Sequence, residues 1–195
     1  MLKLIPLGGL GEIGLNMMVV EYDNVIFIID AGIMFPEDHM LGVDIVIPAM
    51  DYLRENMEKI EGIILTHAHE DHIGALPYLL SEVQAPVYAT RLTAGLIEVK
   101  LRKRGMTGGA NLNIVTAGQR ISIGGLFDVE FFNVCHSIPD AVGLAIRTPA
   151  GLIVHTGDFK FDYTPTWGEP PDFGALARFG TEGVLVLLAD STNAE

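Results

Sequence analysis

The sequence predicts an α/β fold of two mixed β-sheets packed face to face, with helices on the outside. Three observations carry this. Short apolar runs rich in Ile, Val and Phe recur along the chain and read as strands. Helical patterns are few, and most fall in the first half. From Leu112 onward strand follows strand through glycine turns, the order of an antiparallel run and not the regular alternation of a doubly wound sheet. A chain of 195 residues, 49% hydrophobic and with 22 glycines, suffices for one domain with a sizeable core and many tight turns.

In order, Leu2 to Leu7 is a first strand. Pro6 and Gly8-Gly9 interrupt its apolar stretch and no small-residue cleavage site follows, so it does not read as a signal peptide. Met17 to Tyr22 and Val25 to Ile29 form a hairpin through Asp23-Asn24. Ala49 to Met57 has helical spacing behind Pro48. Gly62 to Thr66 is a strand, followed by a polar loop and a helix to about Ser81. Pro77 lies inside that helix, which is therefore short and kinked, or ends its first turn there. Val87 to Ala89 is a short strand. Thr90 to Arg104 is a helix, with Thr90 as its cap, Gly105 as its stop and Leu92, Leu96, Val99 and Leu101 as its packed face. Asn113 to Val115, Arg120 to Ile123, Phe127 to Asn133, Val142 to Thr148 and Gly151 to His155 are strands. Gly124-Gly125 and Ala150-Gly151 mark turns among them. A last αβ unit covers Phe173 to Ala189, with Val184 to Leu188 as its strand.

The net charge of −13 argues against a nonspecific polyanion binder, which would carry a basic face. The one basic concentration, Lys100, Arg102, Lys103 and Arg104 with Arg91 upstream, reads as a solvated helix face; a phosphate-contacting patch is the alternative. The single cysteine, Cys135, excludes an intramolecular disulfide framework and suits a reducing, cytoplasmic setting. No run of 18 uncharged apolar residues suggests a membrane span. Gly9-Leu10-Gly11-Glu12-Ile13-Gly14 is a literal GxGxxG after a strand. The dinucleotide reading needs a helix after it, and the apolar run behind Asn16 with a turn at Asp23 leaves no room for one. The glycines instead predict a loop crossing one end of a sheet.

The chemistry lies in His67-Ala68-His69-Glu70-Asp71-His72, which holds half of the six histidines. In extended backbone His67 and His69 point the same way and can grip one ion. A helix opening at about Glu70 turns Asp71 and His72 toward a neighbouring position. Imidazoles with carboxylates suit a divalent ion such as zinc and suit magnesium less. The competing reading, a polar loop with unrelated histidines, leaves the order of these residues without a purpose. Asp30, His136 and Asp158 each directly follow a strand-like run, where loop residues converge on one rim of a sheet.

These residues resemble a known family. His67 to His72 matches the HxHxDH signature of the metallo-β-lactamase superfamily. Leu7 to Gly14, Ile29 to Gly32, Met34 to Asp38, His136 to Asp140, His155 to Lys160 and Asp190 to Glu195 are similar to the amino-terminal part of the bacterial ribonuclease J family, in the β-CASP branch. The resemblance implies the αββα sandwich of the metallo-β-lactamase fold, incomplete at the carboxy-terminal side. Residues 1–189 would be the amino-terminal portion of that domain and 190–195 the start of the β-CASP insert. It implies two divalent ions, zinc or manganese, the first held by His67, His69 and His136 and the second by Asp71, His72 and a bridging Asp158. Asp71 and Asp158 would also orient the attacking water, so both are expected catalytic residues. Asp30 would support the site through hydrogen bonds. Glu70 is expected to contact a ligand from behind, His155 to do so or to sit in the core, and Ser137 to reach a phosphate oxygen or close a local turn. His39 reads as loop surface.

The implied activity is metal-dependent hydrolysis of RNA phosphodiesters, exo- or endonucleolytic. It is expected of a longer, homo-oligomeric, cytoplasmic protein with RNA as partner and no membrane; this piece, lacking a final histidine ligand, is expected to be inactive. Two other functions compete: hydrolysis of a small thioester or lactone by the same ligands, and a non-catalytic interaction module.

Overall fold

The computed structural model describes residues 1–106 and 110–192. Asn193, Ala194 and Glu195, part of the resemblance above, lie outside them. Two mixed sheets form, as the sequence predicts. The first runs in spatial order β1 (Leu2–Gly8), β2 (Met17–Tyr22), β3 (Val25–Ile29), β4 (Ile60–Ile64), β5 (Val87–Ala89) and β6 (Leu112–Ile114). Its first two pairings are antiparallel and its last three parallel. Parallel neighbours need crossovers, and the helices occupy them: α1 (Asp51–Glu55), α2 (Glu70–Ile73) with α3 (Leu76–Glu82), and α4 (Arg91–Lys103). The second sheet comprises β7 (Arg120–Ile123), β8 (Phe127–Asn133), β9 (Val142–Thr148), β10 (Gly151–His155) and β11 (Val184–Leu188), in the order β11-β10-β9-β8-β7. Only β10 and β11, joined through α5 (Phe173–Glu182), are parallel within it.

Alternation along each strand builds four layers. Phe27 and Ile29 of β3 meet Phe127, Phe131, Ile146 and Ile153 between the sheets. Ile26 and Ile28 point the other way, under Leu76, Leu79, Ile97 and Leu101 of the helices. On the far side of the second sheet, Phe132 and Val154 pack with Ala175 and Phe179 of α5. Strands buried on both faces read as continuous apolar runs, which explains the strength of the sequence pattern. Among the described residues, no helix is long and apolar enough to cross a membrane. Leu10 to Gly14 form bends with no helix, and Gly9, Gly11 and Gly14 sit at positive φ.

Three local expectations are corrected. The helix expected to run to Ser81 is two helices, broken at Gly74-Ala75, with Pro77 harmlessly in the first turn of α3. The first helix is shorter than 49–57 and gives way to a 3₁₀ turn at Met57–Lys59. In α4 the buried residues are Thr93, Ala94, Ile97 and Leu101, while Leu92, Leu96 and Val99 face solvent. The helix phase is set at its entry. Thr90 does not cap; its hydroxyl donates to the Asp140 carbonyl at 2.7 Å, and the Leu92 amide donates to the Asp140 carboxylate at 2.9 Å. That polar anchor turns Thr93 inward, which an apolar count cannot see.

The two faces of α4 should respond differently to truncation. Ile97→Ala is expected to cost about 2–5 kcal/mol and Leu96→Ala to stay within about 0.5 kcal/mol, both read from urea unfolding. The reverse order would place the helix in the wrong phase.

Candidate metal centre

Beyond β4 the chain stays extended through Thr66, His67 and Ala68, and α2 opens at Glu70. Nε2 of His67 and Nε2 of His136 each lie 3.1 Å from Nδ1 of His69. Oδ2 of Asp158 lies 3.6 Å from His136 Nε2 and 4.0 Å from His67 Nε2. The donor atoms of these four residues all fall within 4.8 Å of one another. A second set joins Asp71, His72 and Asp158. Nε2 of His72 stands 3.6 Å from Asp71 Oδ2 and 3.3 Å from Asp158 Oδ1. Asp158 thus turns one oxygen to each set.

The donor chemistry and spacing fit a divalent cation. Ligands about 2.0–2.1 Å from a tetrahedral zinc stand roughly 3.3–3.4 Å apart, inside the range found here. Three imidazole nitrogens aimed at one point repel unless a cation or proton lies between them.

The ligand-like atoms are held from behind. Asp30 is buried, with φ of +62°, a strained conformation for a residue with a side chain. Its Oδ2 lies 2.8 Å from Nδ1 of His72. Its Oδ1 accepts the Thr66 amide at 2.8 Å, and the Thr66 hydroxyl also donates to Asp30. That hydroxyl is 3.1 Å from Nδ1 of His67. One carboxylate therefore orients two imidazoles, one directly and one through Thr66, leaving each Nε2 toward the centre. Close backbone approach does the rest. A Cβ at Gly32 would stand 1.6 Å from the Asp71 carbonyl oxygen, so only glycine lets β3 and α2 meet. Gly157, at φ of +58°, makes the turn that returns Asp158 to the site.

Burial pushes the His67 imidazole down to about 2, helped by the charge of nearby His72. Burial opposes a charge on His72 as well, but Asp30 and Asp158 outweigh it and raise that imidazole to about 10. Burial would also raise Asp158, yet its hydrogen bond to His72 and the surrounding imidazoles hold it at about 2. His136 and His155 are lowered, burial being the largest cause in both.

Of the other expected residues, Ser137 places its hydroxyl 3.4 Å from His136 Nε2. His155 accepts the Gly157 amide at 3.1 Å and lines the same cleft as Asp71, His72 and Asp158. Glu70 corrects the expectation made for it. Its carboxylate is paired with Lys100 on α4 at 2.6 Å instead of bracing a ligand. The reason is its place at the first position of α2, whose outer face meets α4. The same pairing removes Lys100 from any free basic patch. His39 pairs with Glu37 on the surface. Two residues escaped the sequence reading. Asn16 sets its amide 3.1 Å from both the Asp71 carbonyl and His72 Nε2. Thr66 is the link just described. Their only signals were a polar residue closing the glycine loop and one preceding the first histidine. The cleft beside the centre, about 570 Å³, is walled by that glycine loop and reaches Asp190.

Residues 10–186 match the family model described as metallo-beta-lactamase superfamily. The chain is 50% identical over 199 residues to ribonuclease J of Thermus thermophilus, covering 99% of this chain and 35% of that protein. It is 50% identical over 195 residues to ribonuclease J of Synechocystis, covering 100% of this chain and 30% of that one. The chain thus spans about a third of the length of the curated relatives it matches. Among solved structures, zinc-bound PqqB from Methylobacterium extorquens superposes with a TM-score of 0.61 at 14% identity, covering 91% of this chain and 57% of that one; it shares the fold.

Asp30→Asn keeps the shape but removes the charge that orients His72. Metal affinity, read by competition with a chromogenic chelator, should fall about 10–100-fold. In the metal-free protein the pairing of His72 with its carboxylates contributes stability that is fully present below pH 6.5 and lost as pH rises through about 10. Urea unfolding across that window should show the decline, and Asp30→Asn should flatten it. An unchanged slope in the variant would place the titration elsewhere.

Proposed function

The chain belongs to the metallo-β-lactamase superfamily, and on that premise we propose that it forms the metal-carrying part of a ribonuclease that hydrolyses RNA phosphodiesters. The carrying observation is Asp158, with one oxygen toward His67 and His136 and the other toward His72. A carboxylate shared between two donor sets suits a pair of divalent ions. RNA as substrate is supported by 50% identity, across nearly the whole chain, to proteins named ribonuclease J. Because those relatives are about three times longer, the activity is proposed of a longer protein and not of these residues alone. In it, residues 1–189 would open the metallo-β-lactamase domain and 190–195 the β-CASP insert, and ligands from outside this chain would complete the site. A cytoplasmic, homo-oligomeric protein belongs to the same reading, the first supported by a single buried, unpaired cysteine.

His67, His69 and His136 would hold one ion, Asp71 and His72 the other, and Asp158 both; zinc and manganese each accept such mixed ligands. Ions so bound would lower the pKa of a water and neutralise charge on the attacked phosphate. The chain's own residues set the geometry. Asp71 and Asp158 orient the water along the line of attack. The Ser137 hydroxyl, 3.4 Å from His136 Nε2, would donate to a phosphate oxygen. Thr66 and Asp30 keep the imidazoles from rotating as charge develops. Asn16 donates to the Asp71 carbonyl at 3.1 Å and to its carboxylate at 3.4 Å, which would limit the carboxylate's movement during reaction. The cleft walled by the glycine loop would receive the strand beside the centre.

With the full-length protein, 5′-monophosphorylated RNA should be turned over. Chelation should abolish this, and Asp71→Ala should lower it by more than about 100-fold, beyond the loss that removing a supporting residue brings. A parallel panel of thioesters, lactones and β-lactams should remain intact. Thioester or lactone turnover without RNA cleavage would replace this reading with that of a small-molecule hydrolase.

A further inference from the structure

The connection from β10 to α5 is long and rich in aromatic residues. Of the chain's nine Phe, five Tyr and one Trp, five lie within residues 159–173. Rings that serve packing are buried here, as Phe127, Phe131, Phe132 and Phe179 are. In this loop Phe161 is 60% exposed, Tyr163 75% and Trp167 51%. Phe161 and Tyr163 are nonetheless ordered, both against Phe173. The Tyr163 ring lies within 11° of parallel to Phe173, centroids 4.9 Å apart, and Phe161 within 27° of it at 5.7 Å. Phe159 meets Phe161 edge-on and packs inward on the cluster beneath α5.

Both ends of the loop are pinned to the segment that carries His136. The Lys160 amide donates to the Cys135 carbonyl at 2.7 Å, and the Asp172 amide to the Asn133 carbonyl at 3.1 Å. The Asn133 side chain donates to the carbonyls of Glu169 and Pro170 at 3.1 and 2.8 Å. Phe159 directly follows Asp158, and Cys135 directly precedes His136. The loop that carries the aromatic group is thereby tied at both ends to the segment leading into His136, and it starts directly after Asp158. A long ordered loop in such a place is a common site of function.

We propose that the outer faces of Phe161 and Tyr163 are a stacking platform for bases of single-stranded RNA adjoining the phosphate at the Asp158 centre. The inference rests on the ribonuclease reading and adds where the substrate's bases go. A planar partner is indicated because the patch offers π faces. The exposed apolar groups on α4 (Leu92, Leu96, Val99) and on β11 (Val184, Leu185, Leu187) offer only aliphatic chains, and Phe35, also exposed, stands outside this stacked group. Stacking is tolerant of sequence, because every base has a π face.

The test uses full-length, metal-loaded protein and a labelled single-stranded oligoribonucleotide with phosphorothioate linkages to slow cleavage, its affinity read by fluorescence anisotropy. Phe161→Ala with Tyr163→Ala should weaken binding between about 5- and 150-fold. The same pair should leave affinity for an otherwise identical oligonucleotide with abasic sites within about twofold of the parent. Tyr163→Phe should retain affinity and Tyr163→Leu should lose it, because a leucine keeps apolar area but has no ring face. Equal loss on intact and abasic strands, no loss on either, or full retention by Tyr163→Leu would overturn the platform; the last would point to a protein segment covering the patch. Failure of the ribonuclease reading shows separately, as absence of turnover of unmodified RNA by the parent, and leaves the binding comparison readable.

Discussion

The structure depends on one buried carboxylate. Asp30 sits at the end of β3 in a left-handed conformation, between the sheets' common edge and the first turn of α2. It receives the Thr66 amide and hydroxyl and faces the ring of His72. A buried carboxylate without partners would be costly, so these contacts are required for folding as much as for chemistry. They also decide which nitrogen each imidazole presents to the cleft. Fold stability and site geometry therefore share the same few bonds.

From that anchor the rest follows by convergence. Three segments distant in sequence end at one rim: the β4 extension with the histidine cluster, the turn after β8 with His136, and the turn after β10 with Asp158. Glycines make the approach possible where a side chain would collide, at Gly32 against α2 and at Gly157 beside Thr66 and the Val142 carbonyl. Electrostatics then favours a cation. Burial strips charge from His67, while two carboxylates keep it on His72. A metal-free centre holds that proton; a divalent ion at the same nitrogen would displace it, so affinity for the ion should rise with pH.

Much of this was legible in the chain. Strands β2, β3, β5 and β8 through β10 fall where apolar runs between turn residues put them, because strands largely buried on both faces leave a dense signal; β11 is as apolar in sequence although much of it is exposed. The opening of α2 at Glu70, and with it the separation of Asp71 and His72 from His67 and His69, followed from alternation giving way to helix. The failures have a common cause. The phase of α4 is fixed by contacts between Thr90, Leu92 and Asp140, residues about fifty positions apart. Glu70 is drawn to Lys100 from another helix. Asn16 reaches Asp71 and His72 only after β2 has paired beside β3. Each is a polar contact made across the fold, which local periodicity does not encode. The aromatic loop was passed over for the opposite reason, since its rings form no repeating pattern.

The central claim is that Asp158 links two cation positions. Anomalous diffraction from crystals of the metal-loaded, full-length protein tests it most directly. The account predicts two ions about 3.5–4 Å apart, one ringed by His67, His69 and His136, the other beside Asp71 and His72, with an oxygen of Asp158 on each. A single ion bound without Asp158, or two ions that do not share it, would contradict the account.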